Sequence, residues 1–335
     1  MNRPRAAARA LAGGLPRMEY RRLAAHAALP ATTLCAISFG AQRPVESATL
    51  PRALRVHVDL PALLPTGLTE LWHTDTTVQV GREGLIQFAA GGRYLAGQVV
   101  VEEAAVGGLA AAARAAYEAI SHFTLRSGHR HLLRMYNYFS AINSGAGDAE
   151  RYKQFCSGRA AGFKALPDPA WPAATAIGRQ DQNRSLQVYW LASDEAGRPL
   201  ENPRQVSAFH YPRQYGPAPP HFSRAMQVAD GMLISGTASV LGHASHHPGD
   251  LPAQLDEVLR NLASLRQASG TLSAAPWDRG TLLKIYLRDP TTAAYVADYV
   301  RGHLPAQVQF LILGADICRR ELLVEIDAVH LGHGS

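Results

Sequence analysis

The sequence predicts an α+β fold of two ββαβαββ units, each a mixed sheet that is covered by helices on one face. The first observation behind this prediction is that strand-like and helix-like segments follow the same order in both halves of the chain. The second is that the two halves end alike. Residues 177–178 align with 313–314, and residues 186–190 align with 322–326, without a gap and at one constant offset.

The first unit has strand-like segments, an alanine-rich helix, a strand, a second helix and two closing strands. In chain order these segments are residues 54–58, 76–80, 84–88, 97–101, 106–124, 131–138, 148–164, 173–178 and 185–192.

The second unit repeats this order, starting with strands at 224–228 and 231–239. A helix is predicted over 251–268 because apolar residues recur at helical spacing, and Asp250 or the turn around it can cap the first turn. The apolar stripe consists of Leu255, Val258, Leu259, Leu262 and Leu265. The remaining elements are a strand, a helix and a hairpin, at 281–287, 291–302 and the C-terminal end.

Three regions follow from the repeat and from local composition. Residues 1–50, whose start is rich in Ala and Arg, form an N-terminal extension that we expect to be partly disordered. Residues 51–197 form a supporting domain, and residues 198–335 form a catalytic domain. The boundary between these two domains lies near 194–203, where Asp, Glu, Gly, Pro and Asn cluster as they do in linkers.

The overall composition narrows the class of protein. Of the 335 residues 47% are hydrophobic, which is enough for a large core, and the formal net charge is +6. The arginines are scattered, without a Lys/Arg run or an aromatic-rich RNA motif, so we expect an anionic small molecule and no nucleic acid as the partner. No apolar run approaches the roughly 20 residues that span a membrane, so we expect no membrane partner.

Cysteine use and known motifs narrow the chemistry further. Cys35, Cys156 and Cys318 show no CxxC spacing, and no signal peptide is evident, so we expect a reducing cytoplasm. The histidines of the loop 242–248 lack a Cys, Asp or Glu at a standard ligand spacing, and a metal-free loop is the favoured interpretation. Phosphate-loop, dinucleotide-binding and GxSxG motifs are also missing, so we expect no cofactor and no metal.

The segment 314–326 holds the strongest chemical signal. Glu325 interrupts an apolar strand, where a carboxylate is costly unless it is paired or held neutral as a proton donor. Cys318 precedes that strand across a predicted tight turn. In the aligned first unit Tyr189 and Gln182 stand at the equivalent positions, so the second unit alone carries this acid and thiol. Glu325 is therefore a candidate acid, whereas no sequence pattern pairs Cys318 with a histidine base.

Candidate ligands for an anion come from a Pro/Gly-rich loop at 210–217. This loop presents Tyr211, Arg213 and Tyr215, and Arg213 can grip a carboxylate with its planar fork. A loop that packs on the surface through its aromatic residues is an equally good interpretation. The small residues at 235–239 would let a ligand approach the backbone, although a tight strand crossing explains them as well. Other arginines are, taken singly, better interpreted as surface or turn residues: Arg159, Arg224, Arg288, Arg319 and Arg320.

Several motifs together resemble the chorismatase family. They lie at 136–139 (YNYF), 150–159 (ERYKQFCSGR), 210–217 (HYPRQYGP), 235–239 (SGTAS), 286–290 (YLRDP) and 315–319 (ADICR). The resemblance extends from about Leu54 to Leu331. The second half is also similar to the small RidA/YjgF proteins, whose fold the family shares, so the resemblance implies two RidA/YjgF-like units.

The resemblance implies an enzyme that cleaves the enolpyruvyl ether of chorismate and releases pyruvate. One branch of the family leaves a dihydroxycyclohexadiene carboxylate, another forms 3-hydroxybenzoate, and a related bacterial group forms both 3- and 4-hydroxybenzoate. Glu325 matches the family's acid, which would protonate the methylene carbon of the enol ether. Cys318 matches a cysteine of the hydroxybenzoate-forming branch, where the diene-forming branch has alanine. The resemblance therefore favours a hydroxybenzoate product.

The resemblance also implies that arginines and tyrosines converge on the substrate, because chorismate carries two carboxylates and a hydroxyl. The expected substrate-binding residues are Arg159, Tyr211, Arg213, Tyr215, Arg224 and Arg288, with Ala238 shaping the pocket. We expect the protein to be a monomer or a small homo-oligomer.

Three alternatives stay open at the level of sequence. One is a chorismatase that hydrolyses chorismate to the diene. Another is a RidA-like enamine or imine deaminase, although those proteins are usually small single units. The third is a binding module that uses the same pocket without catalysis. Release of ammonia from a 2-aminoacrylate source, without pyruvate from chorismate, would favour the deaminase.

Overall fold

A computed structural model describes residues 14–23, 27–40, 52–166, 171–270 and 277–332. The first strands in chain order are β1 (Arg17–Arg22), β2 (Thr33–Phe39), β3 (Leu54–Val58), β4 (Ala62–Leu64) and β5 (Leu68–His73). Four of them pair in the order β1-β5-β2-β3. Of the predicted extension and its boundary, residues 1–13, 24–26 and 41–51 lie outside the described residues, and the domain boundaries stay a prediction.

The first repeated unit follows this sheet. Its elements are β6 (Gln79–Glu83), β7 (Ile86–Gly91), β8 (Tyr94–Glu102), α1 (Glu103–Val106), α2 (Leu109–Arg126), β9 (His131–Ser140), α3 (Arg151–Gly162), β10 (Ala173–Arg179) and β11 (Ser185–Ser193).

The second repeated unit fills the rest of the chain. Its elements are β12 (Arg198–Leu200), β13 (Ala225–Val228), β14 (Gly231–Ala238), β15 (Val240–Leu241), β16 (Ala244–Ser245), α4 (Leu251–Ala268), β17 (Thr281–Leu287), α5 (Ala293–His303), β18 (Gln309–Gly314), β19 (Asp316–Ile317) and β20 (Val324–His330).

The two units share one topology. The first sheet contains the order β7-β8-β11-β9-β10, and the second contains β13-β14-β20-β17-β18. In each, one pair of neighbours is parallel, β9 with β10 and β17 with β18, and the other neighbours are antiparallel. A helix joins each parallel pair, as a parallel connection requires. The predicted pair of ββαβαββ units is confirmed.

Local sequence signals explain why the helices form where they do. In α4 the stripe residues Leu255, Val258, Leu262 and Leu265 are buried. The Asp250 side chain accepts a hydrogen bond from the Ala253 amide at 3.0 Å, which confirms the predicted cap. The apolar stripe orients the helix toward its sheet, and the cap fixes its first turn.

The core is arranged in layers. One apolar cluster lies between α2, α3 and the first sheet, and another lies between α4, α5 and the second sheet. A third cluster joins the helix-free faces of both sheets with the N-terminal sheet, and it includes Trp72, Tyr136, Tyr189 and Tyr286. The two units therefore pack sheet against sheet, and side chains of both units meet in this central layer.

The constant offset between the units does not hold in the structure. Tyr138 in β9 and Tyr286 in β17 are equivalent, because each pairs with the aligned residue of its parallel neighbour strand. Across the antiparallel neighbour, Tyr138 pairs with Gln187 and Tyr286 pairs with Glu325. Gln187, and not Tyr189, is therefore the structural counterpart of Glu325.

The reason for this difference is a longer connection in the second unit. Nine residues lead from Gly178 to Gln187, whereas eleven lead from Gly314 to Glu325. The longer connection contains β19, which leaves its own sheet and pairs with β10 of the first sheet. Because Cys318 directly follows β19, this crossing carries the thiol to the place where the two sheets meet.

Candidate active site

Glu325 lies within β20, between Ala238 of β14 and Tyr286 of β17, and only 4% of its surface is exposed. A bulge at Ser235 and Gly236 interrupts the ladder between β14 and β20. A Cβ atom on residue 236 would lie 1.9 Å from Glu325 Oε1, so a side chain at this position would force the carboxyl group to move. The bulge and the missing side chain together open the space that the carboxyl group occupies.

The surroundings of Glu325 favour its neutral form. Burial raises the pKa of Glu325 to about 8, and the neighbouring Asp327 carboxylate contributes to the rise. The guanidinium groups of Arg134, Arg224 and Arg319 act in the opposite direction and offset only part of it. Glu325 is therefore mostly protonated at neutral pH, which is the state that a general acid needs.

The Cys318 thiol faces the same carboxyl group. Its Sγ lies 4.0 Å from Glu325 Oε2, and the side chain packs among Ala238, Ile317 and Leu322. Burial raises the pKa of the Cys318 thiol well above its usual range, and the nearby Glu325 carboxyl raises it further. The thiol therefore stays protonated, which argues against a thiolate nucleophile at this position.

A cavity of about 240 Å³ opens beside these two groups, and both units contribute to its wall. The predicted site residues that line it are Arg159, Tyr211, Tyr215, Arg224, Ala238, Cys318 and Glu325. Residues that are up to 166 positions apart in the chain therefore meet around one cavity, as they do in many ligand sites.

Arg159 is the main contribution of the first unit. It lies on α3, which packs closely against α2. This approach needs the glycine at 158, because a Cβ atom there would lie 2.1 Å from the Ala110 carbonyl oxygen. The guanidinium group lies over the rings of Tyr117 and Phe163, at 5.2 and 5.3 Å. Its Nε and Nη2 are buried and have no hydrogen-bond partner among the described residues. A buried guanidinium with free donors is suited to bind a carboxylate.

A second arginine comes from the second unit. Arg224 Nη2 donates to the Val206 carbonyl at 2.9 Å and to the Tyr211 hydroxyl at 2.7 Å. Its Nε is buried without a partner in the part of the chain that the structure describes. The Tyr215 hydroxyl lies 3.2 Å from His243 Nδ1, and its ring lies 5.2 Å from that of Tyr211. The loop tyrosines therefore build the wall around Arg224.

Arg319, interpreted from the sequence as a turn residue, also lies in the cavity wall. Its guanidinium stacks 4.2 Å above the Tyr215 ring, and Nη1 donates to the His243 carbonyl at 2.9 Å and to Ser245 Oγ at 3.1 Å. Its position directly after Cys318 in the sequence could have indicated this place, because β19 carries both residues to the cavity.

The structure does not bring two of the predicted ligands, Arg213 and Arg288, to the cavity wall. Arg213 is 65% exposed and pairs with both carboxylate oxygens of Asp148, at 2.9 and 2.6 Å. Arg288 pairs with Asp316 at 2.9 Å and donates to a backbone carbonyl of β19 and to two carbonyls of the connection between β19 and β20. Both arginines have partners in the protein, and Arg288 holds the connection that carries Cys318.

Sequence reasoning also missed a buried polar cluster behind Glu325. Asp327 accepts a hydrogen bond from the Tyr286 hydroxyl at 2.8 Å and from Thr175 Oγ1 at 3.2 Å, and it pairs with Arg134 at 3.2 Å. Asp327 and Arg134, like Lys284, are charged residues inside apolar strands, which is the same signal that drew attention to Glu325.

Two observations concern binding partners of other kinds. Within the described ranges, no group of three or more His, Cys, Asp or Glu side chains is placed to hold a metal ion. The helices in those ranges are all too short or too polar to cross a lipid bilayer.

Fold and site together define an α+β protein of two repeated units that share one cavity, which a buried carboxyl group and a thiol line. Comparison with known proteins identifies the family. A family model described as chorismatase FkbO/Hyg5-like, N-terminal, matches residues 70–192. A 3-hydroxybenzoate synthase from Streptomyces hygroscopicus is 35% identical over 296 residues, which cover 82% of this chain and 84% of the relative. A chorismatase from Streptomyces rapamycinicus is 35% identical over 276 residues, which cover 78% of this chain and 81% of the relative.

A solved structure also shows similarity to this family. A chorismatase crystal structure matches with a TM-score of 0.82 and 28% identity, covering 95% of this chain and 99% of that chain. The chain therefore belongs to the chorismatase family. The resemblance and the α+β fold class predicted from the sequence are both confirmed.

Proposed function

We propose that this chain cleaves the enolpyruvyl ether of chorismate, releases pyruvate and forms 3-hydroxybenzoate, with Glu325 as the acid and Cys318 as the group that selects the product. One observation carries the proposal: a carboxyl group and a thiol face a single cavity that also holds two buried guanidinium groups, each with a donor that pairs with none of the described residues. The names of the relatives, 3-hydroxybenzoate synthase and chorismatase, support chorismate as the substrate.

The cavity has the charges that a dicarboxylate needs. Arg159 and Arg224 come from different units, and each has a buried donor that no residue in the described ranges occupies, so it is available to a carboxylate oxygen. Each charge-assisted hydrogen bond contributes roughly 1.5–3 kcal/mol. Arg319 adds a third positive charge, and the hydroxyls of Tyr211 and Tyr215 add polar groups to the same wall. In this proposal Arg213 and Arg288 do not bind the substrate.

Protonation of a carbon atom is the difficult step, and the site suits it. Glu325 is neutral and almost fully buried, so its proton is available in a nearly dry environment. Transfer of that proton to the methylene carbon leaves an oxocarbenium-like centre on the substrate. It also leaves a carboxylate on Glu325, which the guanidinium groups of Arg134, Arg224 and Arg319 stabilise. The acid is thus kept neutral without being made too weak to donate.

The thiol favours a hydroxybenzoate over the diene as the product. Cys318 touches the cavity and the catalytic carboxyl group, and Ala238 lies beside it. A neutral thiol in this position can assist rearrangement of the ring without adding to the substrate. Because the same protonation precedes either aromatic product, 4-hydroxybenzoate is the second product to measure.

Incubation of the pure protein with chorismate tests the proposal. Pyruvate is measured with a coupled lactate dehydrogenase assay, and aromatic products are separated by chromatography. Glu325→Gln should lower pyruvate release by more than about 100-fold. Cys318→Ala should keep pyruvate release but move the product toward the diene, and Arg213→Met should change neither. Absence of pyruvate, with ammonia released from a 2-aminoacrylate source, would show a deaminase instead.

A further inference from the structure

The mechanism above uses Arg134 of the buried polar cluster between the two sheets, but it gives no role to Asp327 or Thr175. The central member of this cluster is Asp327, which lies two residues after Glu325 on the same face of β20. Its Oδ2 accepts from Tyr286 and Thr175 and pairs with Arg134, and all four side chains are at least nine-tenths buried. This arrangement of donors fits a carboxylate and holds one negative charge next to Glu325.

Thr175 makes a second contact that bears on Glu325. Its Oγ1 accepts a hydrogen bond from the Gly236 amide at 3.0 Å. Gly236 is the bulge residue against which Glu325 Oε1 lies. A backbone amide that donates to a carboxylate favours the ionised form. By accepting this hydrogen bond, Thr175 takes the amide away from Glu325.

We propose that Asp327 and Thr175 are positioning residues that keep Glu325 protonated, Asp327 through its fixed charge and Thr175 by engaging the Gly236 amide. Because Thr175 and Arg134 belong to β10 and β9, the first unit supplies two of the three contacts to Asp327 and the contact to the Gly236 amide. This inference deepens the proposed function, since it assigns a cause to the protonation state which that function requires of Glu325.

Other groups around Glu325 set the background for this effect. Those that interact with it from the neighbouring elements are Tyr152 on α3, Arg134 on β9, Arg224 before β13, Tyr286 on β17, and Cys318 and Arg319 after β19. The three arginines favour the ionised carboxylate. Removal of the Asp327 charge would leave burial to oppose them without the help of that charge, so Glu325 would then lose its proton at a lower pH.

An infrared titration of the free protein tests the inference without substrate. The carbonyl stretch of protonated Glu325 is assigned by its disappearance in Glu325→Gln and is then followed against pH. Asp327→Asn should lower the midpoint of the titration by about one pH unit, a tenfold change in the protonation equilibrium. Thr175→Val keeps the shape of the side chain and should lower the midpoint by about half a pH unit.

Tyr189→Phe is the matched control. It removes a buried hydroxyl from the same polar layer, which contacts Lys284 and Tyr138, and it changes no charge beside Glu325. Its midpoint should match that of the unmodified protein.

A fall in the titration midpoint of about half a pH unit or more in Asp327→Asn supports the inference, and a smaller fall or a rise overturns it. If Asp327→Asn does not fold, Thr175→Val is the deciding variant. A titration midpoint lower than that of Tyr189→Phe supports the inference, and a midpoint that is not lower overturns it. Failure to release pyruvate from chorismate would refute the proposed function and leave this titration unaffected.

Discussion

Replacement of Glu325 by glutamine should stabilise the folded protein increasingly as the pH rises. The pKa of Glu325 is about 8 in the folded protein, against about 4.5 for an unperturbed glutamate. Between these pH values the folded chain keeps a proton that the unfolded chain has released. The free energy of unfolding therefore falls as the pH rises through this window, and the stability that protonated Glu325 provides is fully present only below about pH 4.5.

The magnitude follows from the width of the window. Each pH unit inside it lowers the free energy of unfolding by about 1.4 kcal/mol, which amounts to about 4 kcal/mol by pH 8. Glutamine has the same shape and does not titrate, so a protein with Glu325→Gln does not suffer this decline. The difference in unfolding free energy between the two proteins should thus grow by about 4 kcal/mol from pH 4.5 to pH 8.

Urea unfolding, followed by tryptophan fluorescence at pH 5, 6.5 and 8, measures this difference. Glu102→Gln is the matched control, because Glu102 is an exposed glutamate at the end of β8, far from the cavity in sequence. The effect of this substitution on the free energy of unfolding should not depend on pH over this range. If the difference between Glu325→Gln and the unmodified protein stays constant with pH, the reasoning that Glu325 is buried in its neutral form is refuted.

Two further predictions concern the geometry of the cavity. Gly236→Ala should lower kcat/KM for chorismate by about 100-fold, because the added Cβ displaces the Glu325 carboxyl group. Gly314→Ala is its control, since a Cβ there meets nothing closer than 3.7 Å, and an equal loss in both would contradict the argument. Arg159→Met should lower kcat/KM by roughly 10- to 100-fold, mostly through KM, whereas Arg213→Met should have little effect because Arg213 is exposed, pairs with Asp148 and does not line the cavity. Steady-state kinetics with all four variants measures both.

Much of the fold was predictable because its signals are local. The stripe and cap of α4 occupy consecutive turns of one segment, and the strand 281–287 has the bounds that its apolar run predicts. The order of elements repeats, so each unit supported the assignment of the other. The alignment of the last strands was off by two residues, because β19 leaves its own sheet and no local pattern records that crossing.

The site was only partly predictable for the same physical reason. Glu325 could be found because a carboxylate in an apolar strand demands an explanation within that strand. Arg134 and Asp327 interrupt apolar strands in the same way, but they are 193 positions apart in sequence, and their pairing depends on how two sheets face each other. Arg213 has the chemistry to bind a carboxylate ligand, yet its guanidinium group already pairs with the Asp148 carboxylate of the protein. Residue type showed what each side chain could do, and the packing decided which of them reach the cavity.

The first unit is therefore more than a support for the second. Glu325 and Cys318 both belong to the second unit, but Arg159 and Thr175, which line the same cavity, belong to the first. If the acid depends on Thr175 and on the pairing of Asp327 with Arg134, its protonation is a property of the contact between the units. A second unit without the first would keep the acid and the thiol. By the roles proposed above, it would lose Arg159, one of the two arginines proposed to bind carboxylates, and the contacts proposed to keep the acid neutral, so the proposed chemistry of the second unit requires both units.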